Sequence, residues 1–325
     1  MERSKIAFII NPNSGTSRKE DLPALIDKIL DKNRFEATVV FTQYAGHGKE
    51  LTNRFVEEKY NYVIACGGDG TINEIASELV HTDVIFGIIP YGSGNGLARH
   101  LGISMFPKRA LKQINNHVMK TIDYGLADET KFFCTCGTGF DAHVSHMFSV
   151  QEKRGFLTYL KTIFKEYIHY KPYMYILKNS EVEIKQRAFL ITFANASQYG
   201  NNAFIAPRAS ISDGMLDVCI LKPFSFFAIP WLAFLLFQKE IDKSKQISIV
   251  RTKEITLIRR KAGSFHVDGD PMEKGKEIHI KVIPAGLKVL VGRSLDLEVV
   301  FRAQLIYARR QIRVHGKNIQ RAILE

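Results

Sequence analysis

Over the first 120 residues, short apolar runs alternate with stretches whose apolar positions recur at helical spacing. Ile6–Ile10 reads as a buried strand ending in Asn11-Pro12-Asn13-Ser14-Gly15. A helix is predicted over about 19–32, a strand over Ala37–Thr42 and a helix over about 48–59. Tyr62–Cys66 is a further strand, followed by Ile72, Ile75, Ala76, Leu79 and Val80 at helical period. Phe86–Pro90 is a strand, a helix begins near Leu97, and 107–118 forms one more. Strands alternating with helices predict a parallel sheet covered on both faces, with right-handed crossovers. From Ile122 the pattern changes. Segments 131–137, 173–178, 182–195, 215–222, 246–250, 253–260, 263–267 and 276–283 read as strands between short turns, which predicts an antiparallel sandwich. Helical insertions are expected at 155–170 and 224–240, and the domain boundary near 122–130.

Two loops stand out within this frame. Gly67-Gly68-Asp69-Gly70 follows the third strand, and Thr71 with Glu74 three residues on has the spacing of a capping box. Gly92-Ser93-Gly94-Asn95-Gly96 follows the fourth strand. Glycines let backbone amides approach phosphate oxygens, and a helix N-terminus adds partial positive charge. Neighbouring loops at the C-terminal ends of parallel strands are where such sheets bind ligands. Neither loop reads G-x-G-x-x-G, and no G-x-x-x-x-G-K-[ST] occurs. An ordinary strand–helix turn remains the alternative for either loop alone.

Net charge and hydropathy add two features. The 325 residues carry a formal charge of +12, which suits an anionic partner; no nucleic-acid motif accompanies it, so a membrane surface or phosphorylated ligands fit it, with an ordinary solvated basic surface as the alternative. Cys66, Cys134, Cys136 and Cys219 form no C-x-x-C pair and no zinc spacing, and reduced thiols in the cytoplasm are expected. The apolar stretch at the N-terminus is too short for a secretory signal. Phe224–Phe237 is strongly apolar, but it is shorter than the ~20 residues of a spanning helix and holds Pro230. Packing on the sandwich or contact with a lipid interface both fit it. Residues 293–325 hold seven Lys/Arg against three acids, with apolar residues at partly helical spacing. They suit a terminal helix, a membrane-surface helix or an oligomer contact, and a homodimer is open.

The ordered set Asn11-Pro12, Gly67-Gly68-Asp69-Gly70-Thr71 with Asn73-Glu74, Gly92-Ser93-Gly94-Asn95 with Ala98-Arg99, Ile122-Asp123, Gly139-Phe140-Asp141-Ala142, Ser212–Asp217 and His266-Val267-Asp268-Gly269-Asp270 resembles the diacylglycerol kinase catalytic-domain family. More closely, it is similar to bacterial soluble lipid kinases related to diacylglycerol and sphingosine kinases. The likeness spans about residues 4–292. It implies a nucleotide-binding α/β domain at 1–125, of the three-layer doubly wound kind seen in NAD kinase and phosphofructokinase. A β-sandwich lipid and catalytic domain follows at 126–292, and a basic extension, expected to be helical, is left at 293–325; the active site would lie in the cleft between the domains.

The implied reaction transfers the γ-phosphate of ATP, with Mg²⁺, to the hydroxyl of a diacylglycerol-like or sphingoid-like membrane lipid. ATP would be held by Asn11, Thr42, Gly67, Gly68, Asp69, Gly70, Thr71, Asn73, Ser93, Gly94 and Asn95. Asp69 would coordinate Mg²⁺ through water or anchor the site. Asp268 is the expected general base with Asp270 in support; Asp270 stands where the family has Glu, one methylene longer. A second, structural Mg²⁺ would be bound by the Asp213 carboxylate and main-chain oxygens of Ser210 and Met215, although Asp213-Gly214 reads equally as a hairpin turn. Lys153-Arg154 matches a basic position that could meet phosphate or headgroup, and Gly96 replaces an acid common in relatives. The expected location is cytoplasmic and peripheral at the inner membrane face, on an anionic surface. The competing readings are an NAD kinase and a non-catalytic lipid-binding protein of the same fold.

Overall fold

The computed structural model describes residues 3–15, 19–149, 163, 165–181 and 183–292. The first sheet begins with four parallel strands in the order β2 (Phe35–Phe41), β1 (Ser4–Ile10), β3 (Tyr62–Gly67), β4 (Ile85–Pro90). Between them run α1 (Leu22–Ile29), α2 (His47–Glu57) and α3 (Asp69–Leu79), with α4 (Gly96–His100) and α5 (Pro107–Asn115) after β4. β1, β3 and β4 are buried almost throughout, as strands covered on both faces must be. Ile6, Phe8, Ile64, Phe86, Ile75 and Leu111 belong to one core that fills the spaces between this sheet and its helices.

The two halves share a strand. β5 (His117–Ala127) runs through the expected boundary and pairs antiparallel along β16 (Glu277–Gly292). The opposite edge of β16 takes β13 (Glu254–Arg259) near its start and β4, in parallel, near its end, where Val289 pairs Phe86. Beyond β13 lie β8 (Tyr173–Lys178) and β9 (Glu183–Ala188). β6 (Thr130–Phe132) pairs with β5.

A second, six-stranded antiparallel sheet has the order β12 (Ile247–Thr252), β11 (Leu216–Leu221), β10 (Leu190–Ala194), β7 (Thr135–Gly139), β14 (Gly263–Val267), β15 (Asp270–Lys274). Leu177, Leu257 and Ile280 of the first sheet meet Phe193, Val218 and Phe265 of the second in one apolar layer, which makes the expected sandwich. α6 (Phe140–Ser149) and α7 (Ile229–Phe237) cover the other face of the second sheet, through Val144, Leu232 and Leu235.

Several expected boundaries move, each for a physical reason. The helix of 107–118 ends at Asn115, because β5 begins at His117 to pair with β16. β16 continues past 283 to Gly292 across a register shift between Ile283 and Leu287. There Ala285 takes φ +52° and donates its N–H to Asp123 Oδ1 at 2.8 Å. The other oxygen of the buried Asp123 accepts from Gly214 N at 2.7 Å, so this carboxylate ties the bulge to the 211–214 loop. The strand expected over 131–137 breaks at Phe133-Cys134, whose N–H groups turn to a side chain described below. Residues 165–169 are helical, whereas most of the helix expected at 155–170, Lys153-Arg154 and the whole 293–325 extension lie outside the described residues.

Candidate active site

A cleft of about 1180 Å³ opens where the C-terminal ends of β1, β3 and β4 face the turn between β14 and β15. Of the residues expected to hold nucleotide, Asn11, Thr42, Gly68, Asp69, Gly70, Thr71, Asn73, Ser93 and Asn95 line it, as do Asp268 and Asp270. Gly67 and Gly94 lie behind the lining. A Cβ on Gly67 would strike the Thr71 side chain at 2.6 Å, so that glycine serves the start of α3.

Each loop is shaped by the other. Asp69 opens α3, with Gly68 and not Thr71 at the cap position. The Thr71 hydroxyl instead accepts from Asn11 Nδ2 at 2.9 Å, joining the first strand's loop to the third's. Asp69 Oδ2 and Oδ1 accept from Asn95 N (2.8 Å) and Gly96 N (2.9 Å), which clamps the second glycine loop onto the first. Asn95 closes its own turn through Gly92 N and O, at φ +52°. Gly68 and Gly92 pack backbone to backbone, and a Cβ on Gly92 would lie 2.7 Å from Gly68 Cα. Gly15, at φ +64°, would place a Cβ 1.8 Å from Tyr91 O, so three strand-end loops converge with no side chain between them. Loss of hydration pushes the Asp69 carboxyl up to about 6; its two amide donors oppose this, and the neighbouring charges of Asp268 and Asp270 add to it.

The far wall is the Asp268-Gly269-Asp270 turn. Asp268 sits at φ +48°. Its Oδ1 accepts from Cys134 N (2.8 Å) and Thr135 N (2.9 Å), and its Oδ2 from Phe133 N (2.9 Å) and Asn73 Nδ2 (2.8 Å). A carboxylate offers about four acceptor sites, and here all four are used. Burial pushes the Asp268 carboxyl up, and these four donors pull it back. Asp270 is exposed to the cleft, and its Oδ2 lies 2.9 Å from where a Cβ of Gly70 would stand. The turn of the second sheet thus rests on the first glycine loop.

At the expected metal site, the Asp213 carboxylate meets a side-chain cation. The Arg251 guanidinium pairs with Asp213 Oδ2 and, at 3.2 Å, with Asp217, while Asp213 Oδ1 accepts from Met215 N at 3.1 Å. Arg251 thus bonds one oxygen of the carboxylate that was expected to join main-chain oxygens of Ser210 and Met215 around Mg²⁺. Among the described residues no three His, Cys, Asp or Glu side chains gather as a cage.

Sequence reasoning missed Tyr44, Gln43, Met105 and Ser145, which also line the cleft. Tyr44 stacks on His47 at 4.6 Å and donates to Glu50 at 2.7 Å, a flat exposed ring at one mouth of the cleft. A lone aromatic after a strand carries no signal of this kind. The four cysteines are buried and free, and burial pushes their thiols up, away from reactive thiolate.

The diacylglycerol kinase catalytic domain family matches residues 5–127, and the YegS C-terminal NAD kinase beta sandwich-like domain matches 134–291. The chain is 30% identical over 306 residues to a diacylglycerol kinase of Mycobacterium tuberculosis, across 90% of this chain and 96% of that one. It is 27% identical over 289 residues to a diacylglycerol kinase of Bacillus subtilis, across 83% and 90%. A crystal structure of a diacylglycerol kinase from Bacillus anthracis shares the fold, with a TM-score of 0.71 at 19% identity over 90% of this chain and 99% of that one.

Proposed function

The chain belongs to the diacylglycerol kinase catalytic-domain family of lipid kinases, and from that premise we propose that it moves the γ-phosphate of ATP to a hydroxyl of a membrane lipid. The observation that carries the reading is the contact of the Asp268–Asp270 turn with the first glycine loop, through Asn73 to Asp268 and Gly70 against Asp270. It puts carboxylates beside the loop that would hold the transferring phosphate. The close-packed glycines leave backbone unobstructed, and the N-terminus of α3 opens between them, a setting that favours phosphate. Phosphoryl transfer asks the protein for alignment, neutralised charge and a proton acceptor near the attacking oxygen.

Exposure divides the two carboxylates. Asp268, expected from sequence as the base, has every acceptor site engaged, which supports a role in positioning the turn. Asp270, exposed in the cleft, is the better proton acceptor. Asp69 joins the two glycine loops and so sets the shape of the phosphate cradle. Mg²⁺ bound with ATP would supply charge neutralisation of the phosphates, and Asp69 and Asp270 are the carboxylates of the cleft that would face it. The Asp213 loop, whose carboxylate pairs with Arg251, does not line the cleft, and no step of this reading runs through it.

Incubation with labelled ATP, Mg²⁺, NAD and a total lipid extract in detergent micelles, followed by chromatography of the products, tests this reading. A labelled lipid is expected and would name the substrate. Phosphorylated NAD with no labelled lipid would mean an NAD kinase, and no transfer at all would leave a lipid-binding protein.

A further inference from the structure

α7 and the turn before it hold the largest concentration of uncovered aromatic side chains among the described residues. The helix, IPWLAFLLF, is apolar on every side. Leu232 and Leu235 are buried against the second sheet, and the outer face is left to solvent. Phe227 is 90% exposed, Trp231 58% and Phe234 51%, and the Trp231 and Phe234 rings stack at 5.6 Å. An all-apolar helix of a globular protein is ordinarily covered. The helical residues 165–169 extend the patch: Tyr167 donates to Phe224 O at 2.8 Å, its ring lies 5.9 Å from Phe226, and Ile168 is exposed beside it.

Charge selects the occupant. Lys165, Lys171, Lys222, Lys239 and Lys245 belong to the segments that form the patch or flank it. The acids of the same segments already have partners: Glu166 pairs with His143 at 2.9 Å, Glu240 with Lys243 at 2.5 Å and Asp242 with Arg208 at 2.9 Å. These segments therefore carry net positive charge. A second copy docked by a two-fold axis would set these lysines against the same lysines, a like-charge contact that costs energy. Exposed phenylalanine and tryptophan, flanked along the chain by lysine, suit the aromatic and headgroup layers of an anionic bilayer interface. No helix among the described residues is long and apolar enough to cross a membrane, so an interfacial position is the one open to this segment.

We propose that the Phe226–Phe237 face docks on anionic lipid bilayers, with its aromatic side chains in the interfacial layer and its lysines against the headgroups. The inference deepens the lipid-kinase reading and rests on it for its purpose. The patch connects to the cleft through α6: Phe140 at its start packs against Tyr167 at 6.4 Å, and Ser145 lines the cleft. Docking here would hold the acceptor end of the site near the membrane that holds its lipid.

The chain has a single tryptophan, Trp231, so its fluorescence reports on the patch. The full-length protein is titrated with phosphatidylcholine vesicles, with and without phosphatidylglycerol, and quenched with acrylamide. Expected are an emission that is open to quencher in the free protein, and a blue shift with protection on anionic vesicles that weakens as salt rises. Phe227→Ser combined with Phe237→Ser should weaken vesicle partition about tenfold or more, since each ring withdraws apolar area from water. The same variant should phosphorylate lipid in detergent micelles at the wild-type rate. Unchanged emission with vesicles, while micellar lipid is still phosphorylated, would overturn the docking and leave the kinase reading standing. Shielding of Trp231 in the free protein would also overturn it, naming a second copy if it depends on protein concentration and a segment of the chain itself if it does not. Vesicle docking by a protein that phosphorylates no lipid would instead overturn the kinase reading.

Discussion

Replacing Asp268 by Asn separates positioning from proton transfer at the cleft. Asparagine keeps the shape but replaces one acceptor oxygen with a donor amide NH₂. If the NH₂ takes the Oδ1 place, it faces the N–H groups of Cys134 and Thr135. In the Oδ2 place it faces Phe133 N and Asn73 Nδ2. Asn73 could turn its amide in response only by giving up its bond to Lys131 O. Either way at least one backbone N–H loses its partner, at about 1–3 kcal/mol. The remaining bonds also lose the charge that strengthened them, for a total of about 2–4 kcal/mol. At roughly 2–4 °C per kcal/mol for a domain of this class, the melting midpoint should fall by about 4–16 °C. Asp270→Asn, at an exposed position, should leave the midpoint within about a degree while lowering kcat about 10²–10⁴-fold. Differential scanning calorimetry beside a micellar lipid-phosphorylation assay measures both. An Asp268→Asn protein of wild-type stability would refute the account of the four donors. An Asp270→Asn protein that turns over within threefold of wild type would remove Asp270 as proton acceptor.

Three further outcomes are expected. Gly15→Val, at φ +64° and with its Cβ meeting Tyr91 O, should shift the loop and weaken binding of a non-hydrolysable ATP analogue at least about tenfold; equal affinity by calorimetric titration would separate this loop from the nucleotide. The Asp69 carboxyl is raised from 3.8 to about 6 in the folded protein, so the folded state binds the extra proton. Its contribution to stability is present below about pH 4 and lost as pH rises through about 6; urea unfolding of the nucleotide-free protein should show that slope, and Asp69→Asn should lack it. Arg251→Met should cost about 1–2 kcal/mol by leaving Asp213 and Asp217 beside each other without a cation, and Mg²⁺ alone should not raise the melting midpoint of the wild type. A clear Mg²⁺-dependent rise without nucleotide would restore a metal to that loop.

What could be read from the sequence follows the range of the interactions. β1, β3 and β4 are apolar runs bounded by glycine or proline, and their order with α2 and α3 is legible within about thirty residues. β5 is not: HVMKTIDYGLA mixes polar and apolar positions, and it is a strand because β16, far along the chain, pairs with it. Asp69 and Asp268 could be picked out as carboxylates in glycine turns. The partners that define them could not, because Asn73 and residues 133–135 lie 195 and about 135 positions from Asp268. The Asp213 turn was visible, but its pairing with Arg251, 38 residues on, was not. Thr71 shows the limit of a local motif, for its capping spacing is intact while its hydroxyl serves Asn11 in another loop.

The pairing of β4 with β16 has a consequence for synthesis. β4 leaves the ribosome with its apolar surface made, yet the strand that meets its open edge, at Val289 against Phe86, comes roughly 200 residues later. At the usual 5–20 residues per second, that edge waits about 10–40 s for its neighbour. During this interval the nascent first half presents an unpaired, β-branched strand of the kind that recruits other chains. The N-terminal half made alone should therefore aggregate or require a chaperone, and premature termination before residue 289 should be costlier to the cell than its position near the end of the sheet region would suggest.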